Sequence, residues 1–372
     1  MKKILILGSE GFIGKNIISF LSVDKKNSID TFSKNDEADA LLDKINNCDV
    51  LMHFAGVNRP KNNEDFNVNN YIFTKKLCES LKDRKKKLSI IFTSSTQVNS
   101  NNPYGKSKLK AEKEFIKLSS NKNIKIYIYR LPNVFGKWCR PNYNSVVATF
   151  CHNISRNKKI IINDEKHLLN LVYIDDVADE FIKIINSKYK YNKKKKYFSI
   201  DPVYECTVGD LALKLKTYRR MRREGRVPDA GSGFDRALYA TFLSYQPKNS
   251  FSYEINSHKD ERGLFSEFIK TNEAGQLSFF TAKPGISRGN HYHHTKNERF
   301  LVVSGSAVFK FKNIISGEEH SISVSSKKLE VVESIPGWAH NICNNGNSVL
   351  VALLWSNEVF NPKRADTIYC KV

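Results

Sequence analysis

The chain has 372 residues, 60 lysines and arginines against 38 acids, a formal charge of +22, 40% hydrophobic residues and 11% aromatics. This length predicts two domains, each able to bury its own core, and the composition excludes a disordered chain. No apolar run is long enough to span a bilayer, and the basic runs Lys85–Lys87 and Lys193–Lys196 are not interleaved with aromatics, which argues against a membrane or nucleic-acid partner.

Lys3–Leu7 reads as a strand and Phe12–Leu21 as a helix. Ile29–Phe32 and Val50–Phe54 are strands, Asp65–Leu81 a helix, Leu88–Ser94 a strand, Tyr104–Leu118 a helix and Ile124–Leu131 a strand. Strands separated by helical segments predict βαβ units, hence a Rossmann-type doubly wound parallel sheet of the α/β class. Asn144–Ile154 and Asp175–Ile185 are expected to be helices of a smaller lobe beside it. After about Leu215 charge and glycine dominate, and 216–250 is expected to be a connector with one short helix, Asp235–Tyr245. Its arginine run Arg219–Arg226 reads as solvated, with phosphate binding as the alternative. From Phe251 onward strand patterns and turns predict an all-β jelly roll or small barrel. The expected domains are therefore 1–215 and 251–372, joined by the linker 216–250. The seven scattered cysteines lack a C-x-x-C pair, and the first residues lead into a glycine turn without a cleavage-site pattern, so a cytoplasmic protein is expected.

Gly8-Ser-Glu-Gly11-Phe12-Ile13-Gly14 follows a strand and opens a helix. Glycines there let the chain turn tightly and approach a pyrophosphate, and the helix N-terminus supplies N–H donors, so a dinucleotide is expected on these residues. The second strand ends at Ser33-Lys34, which suit a ribose 2′-phosphate and favour NADPH. Asp30 reads as mid-strand; were it at the strand end, the preference would reverse. Further on, Ser94-Ser95 ends a strand and Tyr104-x-x-x-Lys108 shares one helix face. A lysine near a phenol lowers its pKa, and a serine hydroxyl can orient a carbonyl that the tyrosine protonates.

In the second half, His291, His293, Glu298 and His340 supply three imidazoles and a carboxylate, the set preferred by zinc or another borderline divalent metal. Alternation puts His291 and His293 on one strand face. The metal can be catalytic or structural on this reading. His294 and Lys296 are candidate proton carriers because they neighbour the ligands.

Residues 1 to about 200 resemble the extended short-chain dehydrogenase/reductase family through the glycine turn, His53-Phe-Ala55-Gly56, Asn69, Tyr104-x-x-x-Lys108, Arg130-Leu-Pro-Asn133-Val-Phe-Gly136 and Val172–Val177. That resemblance implies Ser95, Tyr104 and Lys108 as catalytic residues, Ala55 and Gly56 beside the cofactor, and Arg130, Asn133 and Lys137 as contacts to a UDP-sugar. G-x5-H-x-H-x4-E-x6-G from Gly285 to Gly305, and Gly337-x-x-His340-x3-Asn344, resemble the two cupin motifs, with the second motif's usual proline shifted by one to Pro336. The pairing, with Gly56–Pro60 and Phe135–Ser145, resembles the CapF-type bifunctional family of bacterial capsule and O-antigen synthesis. By that resemblance a UDP-2-acetamido-2,6-dideoxy-hexos-4-ulose would be epimerised at C3 in the cupin and reduced at C4 with NADPH, by a zinc-carrying homodimer. A UDP-sugar 4-epimerase that retains NAD, or a nucleotide-sugar sensor without chemistry, also fits the first half. A 4,6-dehydratase is expected to carry Asp-Glu where this chain has Gln97-Val98.

Overall fold

The computed structural model describes residues 1–23, 26–33, 36, 38–189, 191–254, 257–260, 263–266, 275–358 and 363–372. Two compact units emerge: 1–145 with 169–205, and 146–168 with 206–372.

The first unit is built on β1 (Lys2–Leu7), α1 (Phe12–Leu21), β2 (Asn27–Phe32), α2 (Ala38–Asn47) and β3 (Val50–His53). A helical stretch then opens as α3 (Glu64–Phe66), widens into a π-helical segment over Asn67–Ile72 and continues as α4 (Phe73–Leu81). β4 (Leu88–Ser95), α5 (Pro103–Leu118), β5 (Ile124–Leu131) and β6 (Asn133–Phe135) follow. α6 (Val146–Ser155) belongs to the second unit; β7 (Leu168–Tyr173), α7 (Ile174–Ile185) and β8 (Tyr197–Phe198) return to the first. The central sheet runs β2-β1-β3-β4-β5-β8, every pair parallel. Strands β3, β4 and β5 and the second half of β1 are nearly continuous buried runs because both faces are covered, whereas the edge strand β2 is polar. Leu5, Leu7, Leu51, Ile90, Phe92 and Ile126 pack with Leu77 and Leu81 of α4 and Phe115 of α5. On β5, Tyr129 instead meets Phe181 of α7, ring centroids 5.0 Å apart. Strand order reverses between β1 and β3, and such a switch point opens a crevice at the carboxyl ends of the strands.

β9 (Tyr204–Thr207) straddles the boundary between the units. The second unit then has α8 (Val208–Arg223), α9 (Gly233–Ser244), β10 (Ser252–Glu254), β11 (Ser257–Asp260), β12 (Gly263–Ser266), β13 (Gln276–Ala282), β14 (Ser287–Tyr292) and β15 (Glu298–Ser304). It ends with β16 (Ser306–Asn313), β17 (Glu319–Ser325), β18 (Glu330–Glu333), β19 (Trp338–Asn344), β20 (Leu350–Ser356) and β21 (Ile368–Tyr369). Two five-stranded antiparallel sheets, β10-β18-β15-β20-β13 and β17-β16-β19-β14-β21, enclose a common core. Phe300, Val302, Val332 and Leu350 face Phe309, Phe311, Ile342 and Trp338 across it.

Three expectations are corrected here. The smaller lobe does not form: α7 packs on the parallel sheet, whereas α6 joins the second unit. The stretch 216–250 is no mere connector, because α8 runs through it to Arg223, carrying the buried stripe of Leu211 and Leu215 on to Tyr218, and α9, the short helix expected there, buries Leu238 and Phe242. Arg222 continues that stripe and reaches Glu333 Oε2 at 2.5 Å, while Arg299 Nε holds Oε1 at 3.0 Å. The break in compactness therefore falls at 205/206, not at 215/216. Among the described residues no helix is long and apolar enough to cross a membrane.

Candidate active site and metal centre

At the end of β1 the chain turns through Gly8 with φ +88°, where a Cβ would lie 2.7 Å from the Ala55 backbone nitrogen. A Cβ on Gly14 would come within 2.3 Å of the Gly8 carbonyl oxygen, so the turn closes only with glycine at both positions. Gly11 precedes α1 in an extended conformation with no side-chain cap, which leaves first-turn N–H groups at Phe12 and Ile13 for a ligand. Ala55 and Gly56 lie one residue beyond the end of β3. Beyond β2, Ser33 donates its N–H to Asp36 Oδ2 at 2.7 Å; Lys34 lies outside the described residues. Asp30 sits inside β2 opposite Leu5 and pairs with Lys44 at 2.9 Å, in keeping with its mid-strand reading.

Ser95 is the last residue of β4. Pro103 opens α5, and the Asn102 side chain accepts the Gly105 N–H at 2.7 Å, so Tyr104 stands in the first turn and Lys108 one turn later. Burial pushes the Tyr104 phenol above its ordinary pKa, opposed by a hydrogen bond with the Ser95 hydroxyl. Burial also lowers Lys108 to about 8, with the Glu112 charge opposing. The Lys108 ammonium lies 4.5 Å from the Phe92 ring centre and 3.9 Å from where a Gly56 Cβ would stand. The three expected catalytic side chains are thus brought together beside the turn after β3. A hydroxyl, a phenol and a buried cation so arranged can bind a carbonyl oxygen and give it a proton.

The expected substrate contacts fare differently. Arg130 is bidentate to the fully buried Glu112, at 3.0 and 2.7 Å, and its guanidinium covers the Tyr197 ring at 3.6 Å. Lys137 is buried with its Nζ on Asp175 Oδ1 at 2.7 Å. Both cations pair with carboxylates within the unit, and Asn133 is exposed at the start of β6. Asn69 merely bonds the Asp65 carbonyl on the surface. Its neighbour Asn70, inside the π-helical segment, is buried. It accepts from Val57 N–H at 2.8 Å and donates to Val57 O at 2.9 Å and Ser107 Oγ at 3.0 Å, tying the β3 turn to α5. The wider helical turn moves the inward position by one residue. Glu112 was also missed. It sits one turn beyond Lys108 on α5 and accepts the Ser94 hydroxyl at 2.5 Å, and the Lys108/Glu112 spacing of four is the signal that could have found it.

In the second unit His291, His293, Glu298 and His340 offer ligand atoms that all lie within 4.8 Å of one another. Glu298 Oε2 is 3.1 Å from His293 Nε2, 3.4 Å from His340 Nε2 and 3.9 Å from His291 Nε2. His291 and His340 are register partners on β14 and β19. A bulge at Gly289 and Asn290, with φ +110° and +59°, re-aims the strand just before His291. Burial alone would raise the Glu298 pKa, but the His293 charge and the surrounding imidazoles hold it well below the usual carboxylate range. Burial lowers His340 to about 4. The Nε2 atoms of His291 and His340 have no hydrogen-bond partner although both are buried, which a bound cation would remedy. Of the two expected proton carriers, Lys296 is placed beside the cluster, its Nζ 3.5 Å from Glu298 Oε1. His294 is buried with its ring 5.5 Å from that of Tyr292.

Residues 4–198 match the NAD dependent epimerase/dehydratase family and residues 258–368 the polysaccharide biosynthesis C-terminal domain. A curated relative from Pseudomonas aeruginosa, UDP-2-acetamido-2,6-beta-L-arabino-hexul-4-ose reductase, is 43% identical over 370 residues, covering 100% of this chain and 99% of its own. The crystal structure of the capsular polysaccharide assembling protein CapF from Staphylococcus aureus superposes with TM-score 0.67 at 38% identity, covering 100% of both chains. A structure of CapF with the inhibitor 3-isopropenyl-tropolone gives TM-score 0.63 at 35% identity, again over 100% of both. With a profile match over more than half its length and relatives aligned end to end, the chain belongs to the NAD dependent epimerase/dehydratase family, in the CapF-type group that adds a polysaccharide biosynthesis C-terminal domain.

Proposed function

We propose that this chain is a bifunctional nucleotide-sugar enzyme of bacterial capsule or O-antigen synthesis. Its substrate is a UDP-2-acetamido-2,6-dideoxy-hexos-4-ulose, epimerised at C3 by the cupin-like barrel and reduced at C4 by the first unit. The product is a UDP-N-acetyl-6-deoxy-L-talosamine, on the route to UDP-N-acetyl-L-fucosamine. The observation that carries this reading is the placement of Ser95 at the end of β4 with Tyr104 and buried Lys108 one turn apart on α5, in a chain 43% identical end to end to a named UDP-hexulose reductase.

NADPH, when bound at the glycine turn, supplies the hydride. Tyr104 gives its phenolic proton to the C4 oxygen, Ser95 orients that oxygen, and the Lys108 ammonium stabilises the phenolate left behind. Asn70 positions these groups by fixing the β3 turn against α5. Ser33 and Lys34 favour NADPH over NADH.

A C3 proton is acidic only because C4 is a ketone. The partnerless Nε2 atoms of His291 and His340, facing the Glu298 carboxylate, fit zinc or another divalent cation held with His293. Such a cation supplies Lewis acidity toward the ketone oxygen when bound. Lys296 is the side chain best placed to move the C3 proton. The family likeness supports a cytoplasmic homodimer.

The test is to incubate the purified protein with NADPH and the keto-sugar. Stoichiometric loss of NADPH with formation of a C4 alcohol is expected. A 4-epimerase that retains NAD would consume none, and a sensor would bind the sugar unchanged.

A further inference from the structure

The loop from His293 to Glu298 joins two of the four clustered side chains, and side-chain oxygens hold its backbone at every step. The N–H groups of His294, Thr295 and Lys296 all donate to the Asp366 carboxylate, at 2.9, 2.7 and 2.7 Å, and the Thr295 hydroxyl adds a fourth bond at 3.0 Å. The next two N–H groups, of Asn297 and Glu298, go to Asn357 Oδ1 at 3.1 Å and Ser334 Oγ at 2.7 Å. The Asp366 backbone carbonyl lies 2.5 Å from His293 Nδ1. A carbonyl only accepts, so Nδ1 carries a proton, and Nε2, 3.1 Å from Glu298 Oε2, is the ring nitrogen that can give up its proton to hold a cation. β21, just beyond Asp366, pairs with β14 at His291 and Tyr292. One residue thus fixes the tautomer of one ligand, the path to the second and, through its strand, the ligand strand itself.

We propose that Asp366 is a positioning residue of the metal centre, and that the segment Asp366–Tyr369 sets the affinity and geometry with which the four side chains hold a divalent cation. It touches neither cation nor substrate. Its role is to hold His293 and the 294–296 loop so that four donors converge without rearrangement when the cation arrives. Removing its carboxylate orphans three backbone N–H groups and a hydroxyl at once, and the loop must relax to find new partners. Outer partners that orient ligands typically contribute 10–100-fold to metal affinity.

This inference rests on the metal reading above, and the test separates the two. Full-length wild type, Asp366→Ala and Asp366→Asn are stripped of metal and titrated with Zn2+ and with Co2+ against a chromophoric chelator, and the Co2+ absorption spectrum is recorded. NADPH binding to the first unit and far-ultraviolet circular dichroism verify the fold. The expected result is a wild type that binds one cation. Asp366→Ala then binds it about 10–100-fold more weakly with an altered Co2+ spectrum, and Asp366→Asn falls between. If wild type binds no cation, the metal reading fails and takes this inference with it. If wild type binds and a folded Asp366→Asn keeps both affinity, within about threefold, and spectrum, the inference is overturned while the metal reading stands. Should Asp366→Ala fail to fold, Asp366→Asn decides alone.

Discussion

Glu333→Gln tests whether the helices after residue 205 are part of the barrel unit. Glu333 ends β18 with its side chain 2% exposed, between Arg299, also 2% exposed, and Arg222, 12% exposed. An amide there leaves two guanidinium groups in a dry site without a counter-charge, and breaking a buried pair this way costs about 3–5 kcal/mol. Arg222 keeps the Ser250 carbonyl and the face of Tyr253 at 4.6 Å, so the lower end, about 3 kcal/mol, is expected. For a unit of this size that corresponds to a fall in melting temperature of roughly 6–12 °C. Trp338 and Trp355 are buried in this unit, so tryptophan fluorescence during urea unfolding reports on it. Arg222→Met, which leaves Arg299 on Glu333, should cost less than Glu333→Gln. A Glu333→Gln loss under about 1 kcal/mol would contradict the reasoning and place Arg222 in solvent with its exposed neighbours Arg220 and Arg226.

Four further outcomes are expected. Tyr104→Phe should lower the reduction rate by about 10²–10⁴ with NADPH binding retained, and leave C3 proton exchange in the barrel unaffected; equal loss of both reactions would contradict separate sites. Gly14→Ala, whose Cβ would meet the Gly8 carbonyl at 2.3 Å, should weaken NADPH binding on the order of tenfold or more by titration while the metal content stays constant. Removing metal with a chelator should abolish C3 exchange but leave NADPH binding intact, measured on one sample; exchange persisting in a metal-free protein would argue for a structural ion. Burial, helped by the Lys108 charge, holds His53 at about 3 against an ordinary 6.5, so the imidazole stays neutral in the folded chain where the unfolded chain takes up a proton. Stability of the first unit is then fully present above about pH 6.5 and is lost as pH falls toward 3, by up to about 1.4 kcal/mol per pH unit. Urea midpoints of His53→Gln, which keeps a polar group near Thr74, should show a flatter acid limb than wild type; parallel curves would contradict this.

What could be read from the sequence was whatever depends on neighbours along the chain. The apolar runs of β1, β3, β4 and β5, the turn Gly8–Gly14 and the i, i+4 pair Tyr104 and Lys108 are local patterns, and the structure shows each as expected. The convergence of His291, His293, Glu298 and His340 was legible because alternation on one strand and a fixed spacing to the next nearly determine it. What could not be read depended on distant partners. Nothing near Arg130 and Lys137 in the chain announces Glu112 and Asp175, the carboxylates they pair with. Asp366 lies some seventy residues from the loop it holds, and no motif marks it. α8 was missed because its lysines and arginines masked a stripe at 211, 215, 218 and 222, which helical spacing alone could have revealed. Asn70 escaped for a subtler reason: a π-helical turn shifts the phase by one, and periodicity arguments assume a regular α-helix.

On the proposed function one polypeptide joins a nicotinamide-dependent carbonyl reductase to a cation-holding barrel that exchanges a proton next to the same carbonyl. NMR of the product formed in D2O with NADPH reads both reactions at once. Deuterium at C3, inverted configuration there, and a protium-bearing C4 alcohol from the cofactor hydride are expected. A reduced C4 with protium and unchanged configuration at C3 would contradict the role given to His291, His293, Glu298 and His340.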